Sequence, residues 1–248
     1  MTALLSSELL KQRSTRATLS LFVAMIGLVL LAVLLHGFGL RAEALGDRHV
    51  QLMVLGRGEL LGVLFAALLG ALSITAEIRH GTIRPTFLFS PRRGRVVAAK
   101  IVVSVLVGAG FGLVAGAVAT AAGTAALRAR GIDVQLDGRD DALLVFGSAT
   151  AAALWAAIGV GLGALVRNQV PTLIGICAWL LFVEGLLGDA TGGLGDVGRI
   201  LPGAAAAAIS GQDPGTLLAP AVGLVLLVAY AAAAALAGAI ATSRRDVG

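Results

Sequence analysis

The side chains of this chain that are suited to chemistry are few, and many of them crowd into one stretch. Residues 77–100 read EIRHGTIRPTFLFSPRRGRVVAAK and lie between two apolar runs without charge. Glu77 closes the first run, Gly81 suits a helix break, and the Thr82 hydroxyl can accept backbone N–H bonds at the start of a new helix. Pro91 then stops or redirects the chain, and Arg92, Arg93 and Arg95 lead to Lys100 at the foot of the next run. This spacing predicts a short helical knob at a membrane face, with Arg84 and Ser90 inside the stretch. A plainer reading stays open, in which a basic loop only sets topology and each cation near anionic headgroups contributes about 1 kcal/mol.

Other chemistries find less support. A phosphate-binding Gly-x-x-x-x-Gly-Lys-Ser/Thr loop is absent, and the only lysines are Lys11 and Lys100, so any ATP hydrolysis belongs to another polypeptide. His36, His49 and His80 fall on both membrane sides, which argues against a shared metal site, and no cofactor is expected on this chain. Cys177 is the single cysteine and can form neither an intramolecular disulfide nor a cysteine metal cluster. Ser148 has no histidine deep in any span and reads as a packing residue rather than a nucleophile. Glu184 is the one acid placed near membrane depth. It lines an outward vestibule, pairs with an arginine such as Arg199, or meets water at the interface. Trp155 and Trp179 read as packing or interface residues.

The elements that must hold these residues are membrane helices. Of 248 residues, 58% are apolar and 13% charged, about half the charge of a typical soluble domain. Crossing about 30 Å of hydrocarbon takes roughly 20 apolar residues in a helix. Six stretches qualify: Ala17 to Leu35, Leu60 to Ala76, Ile101 to Ala126, Ala142 to Val166, Val170 to Val183 with a short extension, and Thr216 to Thr242. They are too long and too continuously apolar for barrel strands. The expected fold is therefore an all-α polytopic membrane protein, one domain over residues 1–248. The first span reads as a retained helix rather than a cleaved signal peptide.

The net charge of +5 is better read by its distribution than as a sign of nucleic-acid binding. With the N-terminus inside, twelve of the 19 basic residues fall in inside segments and seven outside, a bias that puts both termini in the cytoplasm. The abundance of Ala, Gly and Arg over Lys is that of a GC-rich bacterial genome, so the compartment expected is a bacterial cytoplasmic membrane.

Residues 1–16 place Leu4, Leu5 and Leu9 ahead of a basic end, which suits a helix lying in the inner interface or an ordinary basic anchor. Gly108, Gly112 and Gly116, and again Gly159 and Gly163, form ridges that permit close helix contact within the subunit. Residues 189–214 form an outward-side insertion, with a small-residue helix from about Gly203 to Ile209, or a plain loop.

With these residues placed, the chain resembles the permease subunits of ATP-binding-cassette exporters of the second type. The resemblance rests on Glu77, Gly81, Thr82, Ser90, Pro91, Arg92, Arg93 and Lys100, on the N-terminal SELLKQRSTR, on LFAALLGALSITAE and on Leu201-Pro202. It covers nearly the whole six-span plan. It implies an interfacial helix before the first span, a cytoplasmic coupling helix from Thr82 to Ser90, and a second permease copy, identical or related. It also implies two P-loop ATPase subunits that hold the ATP and Mg. The spans themselves favour lipids, amphipathic drugs or hydrophobic peptides as cargo over small ions. Two other classes remain: a secondary transporter working without ATP, disfavoured by nearly charge-free spans, and a non-transporting structural or immunity protein.

Overall fold

A computed structural model describes residues 2–82, 93–190, 197–213 and 215–244. Among these residues all regular structure is helical. Helix α1 (Thr2–Ser14) precedes α2 (Arg16–Gly39), and the short α3 (Ala42–Leu45) and α4 (Arg48–Leu55) lead into α5 (Arg57–Arg79). Helix α6 (Arg93–Ala129) runs back, then α7 (Gly138–Ala142) passes through one π-helical turn into α8 (Ser148–Val166). The rest comprises α9 (Gln169–Ala178), a second π-helical turn, α10 (Glu184–Ala190), α11 (Pro202–Ile209) and α12 (Pro220–Arg244). Six helical stretches are long and apolar enough to cross a membrane, as the charge-free runs predict. The chain is an all-α polytopic membrane protein.

The six are not equivalent. In the apolar windows of the second and fourth spans, 61% and 67% of residues are buried, against 17%, 17% and 22% in the first, fifth and sixth. Helices α5, α6 and α8 thus form the centre, and α2, α9 and α12 present large apolar side chains such as Leu19, Ile174 and Val225 on the outside of the bundle. Lipid is as apolar as leucine, so the centre is held by close packing rather than by expulsion of water. The glycine ridges do this. A Cβ on Gly112 of α6 would strike the main chain of Ser148, and one on Gly159 of α8 the carbonyl oxygen of Ala67 in α5. Both ridges therefore lie in seams inside the subunit.

At the end of the bundle away from α1, polar side chains replace regular structure in fastening the connections. Gln51 is fully buried, donates to the carbonyls of Leu45 (2.8 Å) and Asp133 (2.9 Å), and accepts from the Gln135 N–H (2.8 Å). Arg130 donates to the carbonyls of Gly37 and Leu40, closing α6 onto the end of α2. Arg48 and Asp140 pair at 2.6 Å between α4 and α7.

Two expectations, both on span bounds, need adjustment. The second span is longer than Leu60 to Ala76: only Gly56 separates α4 from α5, and Glu59, expected in an outside segment, is 4% exposed inside the packed helix. The last span begins at Pro220, where proline's fixed φ suits the first helical turn, rather than at Thr216. In α1 the face turned to the bundle is polar, made by Glu8 and Gln12 one helical turn apart, while Leu9 and Leu10 point away. The small-residue helix expected from Gly203 to Ile209 is present as α11, with Ala205 and Ala206 fully buried.

Candidate functional site

The charged residues of the α1 end converge on one cluster. Lys100 lies two turns into α6 and is 1% exposed. Its ammonium has three N–H donors and meets three acceptors: Glu8 Oε2 at 2.7 Å, Glu77 Oε1 at 2.8 Å and the Ser73 carbonyl at 2.9 Å. Lys11, half exposed, bridges the same two carboxylates at 2.8 Å to Glu8 and 2.9 Å to Glu77. Beside it, Gln12 donates to Ser104 Oγ at 2.9 Å. Two acids and two bases alternate around a closed circuit that joins α1, the C-terminal end of α5 and the N-terminal part of α6.

Local sequence explains how each group arrives there. In α1, Glu8, Lys11 and Gln12 share one face at spacings of three and four. Glu77 is in the last turn of α5, which ends because Gly81 takes a left-handed φ of +71°, a conformation open to glycine and costly for most residues. Burial opposes ionisation of Glu8, but the ammoniums of Lys100 and Lys11 outweigh it and hold the Glu8 carboxyl below its usual range. For Lys11, burial is likewise overcome by the two carboxylates, which push its value up.

Of the residues singled out between 77 and 100, the structure brings Glu77 and Lys100 together inside this cluster and puts Gly81 at the helix break. Thr82 is exposed, its hydroxyl 3.5 Å from the Glu77 carbonyl. Arg84, Ser90, Pro91 and Arg92 lie outside the described residues, as does the side chain of Arg93, whose backbone opens α6. Sequence reasoning does not find Glu8, Lys11 and Gln12 as neighbours of Lys100. The available signal is a polar pair at i and i+4 in a short helix, and a lone lysine at the edge of an otherwise apolar run.

A cavity of about 600 Å³ lies against the cluster, between α1, α2 and α5. Leu21, Leu69, Leu72 and Ala76 supply an apolar wall, and Gln12 and Glu77 face it from the polar side. Arg79 stands at the rim, 3.4 Å from Gln169 Oε1 at the foot of α9.

At the other end of the bundle, Glu184 occupies a different kind of site. Its carboxylate accepts the N–H groups of Gly203 (2.9 Å) and Ala204 (3.2 Å) and the indole N–H of Trp179. It caps the positive end of α11 and fixes Trp179 in place. Glu59 joins it in lining a smaller cavity of about 200 Å³ and accepts from Gln212 Nε2 at 3.1 Å. Trp155 and Ser148 are buried packing residues, and Ser148 donates to the Leu144 carbonyl at the π-helical turn.

Compared with protein-family models and with curated proteins, the chain matches none of them.

Proposed function

We propose that this chain is the membrane-spanning permease subunit of an ATP-driven exporter, working as a dimer with a separate P-loop ATPase in a bacterial cytoplasmic membrane, both termini inside. The observation that carries the reading is the Glu8–Lys11–Glu77–Lys100 circuit. It joins α1 to the two helices that bound residues 83–92, so a force applied to that segment reaches α1, α5 and α6 as one body. Lys100 and Glu77 serve the coupling from within the cluster, since Lys100 has no exposed surface to offer a partner. In this reading the partner docks on residues 82–90, which include Arg84 and Ser90, with Pro91, Arg92 and Arg93 following them in the chain, and ATP and Mg are held by the partner. Binding of ATP would draw two ATPase subunits together and shift the bundle between two states, which requires the partner and cargo to favour different ones. The test is mild detergent purification of the tagged chain from its native membrane. A P-loop ATPase at one copy per permease, lost on Arg92→Glu/Arg93→Glu, supports the reading; a partner-free protein that transports in proteoliposomes refutes it.

One observation favours a second reading. Glu59 is an acid almost wholly buried in a membrane helix and facing a cavity, the placement used by ion-coupled secondary transporters. Partner-free transport that follows a proton gradient and is abolished by Glu59→Gln would establish it.

A further inference from the structure

The smaller cavity, at the end of the bundle away from α1, holds a carboxylate without a counter-charge. Glu59 is 4% exposed, and its hydrogen-bond partner is the Gln212 side-chain amide, which donates to Oε2. Glu59 Oε1 takes no donor from the described residues, yet it is not sealed from a water-sized molecule, so it opens on the cavity that Glu59 lines. The same holds for Gln212 Oε1, which the amide brings alongside. No ion pair reaches Glu59 among the described residues. Desolvation penalises an isolated charge, so a buried carboxylate takes up either a cation or a proton.

The rest of the cavity defines which cation fits. The charged residues that line it are Glu59, Glu184 and Arg57, two carboxylates against one guanidinium, which leaves one negative charge over. Arg57 and Glu59 are two positions apart on α5 and leave the helix in different directions, so they do not pair. Carboxylate and amide oxygens are hard ligands, suited to hard cations and not to soft metals. A divalent ion would make the cavity positive and seeks six or more oxygens, whereas a monovalent ion neutralises it. At about 200 Å³ the cavity has room for such an ion with several waters, each taking about 30 Å³. We infer that this cavity binds one alkali cation, with Glu59 Oε1 and Gln212 Oε1 as its protein ligands and Glu184 as the second negative charge in its field. The inference stands apart from both functional readings, because an ion held here need not be carried. Proton-driven transport abolished by Glu59→Gln, without sodium binding, would keep the second reading and sink this one.

Equilibrium binding of radioactive sodium to the purified full chain tests it, with choline chloride holding the ionic strength constant and the pH mildly alkaline so that protons compete least. One ion should bind per chain and be displaced by unlabelled sodium but not by choline. Above its Kd, sodium should raise the melting temperature by about 4 °C per tenfold in concentration. It should also shift the emission of Trp179, whose indole donates to Glu184. Glu59→Gln, which keeps the size and removes the charge, should lose all three responses, and Gln212→Leu should weaken binding about tenfold. If either variant fails to fold, isotope binding to the wild type still decides. Absence of sodium binding from mildly acidic to alkaline pH, with a melting temperature whose pH dependence disappears in Glu59→Gln, means that the carboxyl carries a proton and overturns the inference. A sodium response unchanged in Glu59→Gln overturns it as well.

Discussion

Replacing Lys100 by methionine isolates what the ionic circuit contributes. The ammonium is almost wholly buried, donates to Glu8 and to the Ser73 carbonyl at 2.7 and 2.9 Å, and forms an ion pair with Glu77 at 2.8 Å. Methionine fills similar volume, so little cavity forms, but Glu8, itself 2% exposed, keeps its charge with only the half-exposed Lys11 in reach. Breaking a buried pair by deleting one partner costs about 3–5 kcal/mol, whereas deleting both charges is often close to neutral. Lys100→Met should therefore lose about 3–5 kcal/mol of unfolding free energy, and Glu8→Leu added to it should recover most of that loss. The assay is equilibrium unfolding by SDS titration in mixed micelles, with size-exclusion chromatography to confirm a folded starting state. A loss under about 1 kcal/mol, the worth of an exposed pair, would refute the buried-circuit argument. So would additive losses in the double variant.

Three further outcomes follow from the same geometry. The folded-state value of Glu8 lies below its ordinary 4.5, so its stabilising effect is complete above about pH 4.5 and fades as the pH falls through the lower folded value. Protection factors in α1, taken relative to the slower intrinsic exchange at low pH, should accordingly fall below that pH in the wild type, and a Glu8→Gln variant should lack this acid step. Glu184→Ala removes the acceptor for two backbone N–H groups and an indole, and should cost about 1–3 kcal/mol, with faster exchange at Gly203 and Ala204 and altered Trp179 emission. Gly112→Leu should prevent α6 from seating on α8 and lower the yield of folded protein, while Gly110→Ala, whose Cβ meets nothing within 4 Å, should leave melting unchanged.

What is legible in the residues is set by local physics. A run such as Ala17 to Leu35 has no soluble alternative, so hydropathy reveals the spans, and Leu201-Pro202 announces the small-residue helix that ends at Ile209. The contacts that build the candidate site are not readable in this way, because they join residues far apart in the chain. Nothing near Lys100 announces Glu8, which lies 92 positions away, and Glu59 reads as a loop acid because the charges around Gly56 hide the helix that buries it. Glu184 stands out for its depth, but its cap on the first turn of α11 depends on how the chain returns at Pro202, which spacing alone does not specify. The glycine ridges are visible as a repeat, and only packing assigns them to α8 and α5 rather than to a neighbouring subunit.

The glycine seams also constrain how this protein can change over generations. In an ordinary core, an enlarged side chain can be accommodated by trimming the neighbour it strikes. Here the atoms that an added Cβ meets include the main chain of Ser148 for Gly112, and the carbonyl oxygens of Ala156 for Gly70 and of Ala67 for Gly159. No substitution removes a carbonyl group. A variant at one of these glycines therefore has no direct suppressor at its contact, and rescue must come from a change that alters the path of a whole helix. Reversion is the short route back, which leaves these positions with few accessible neighbours in sequence space.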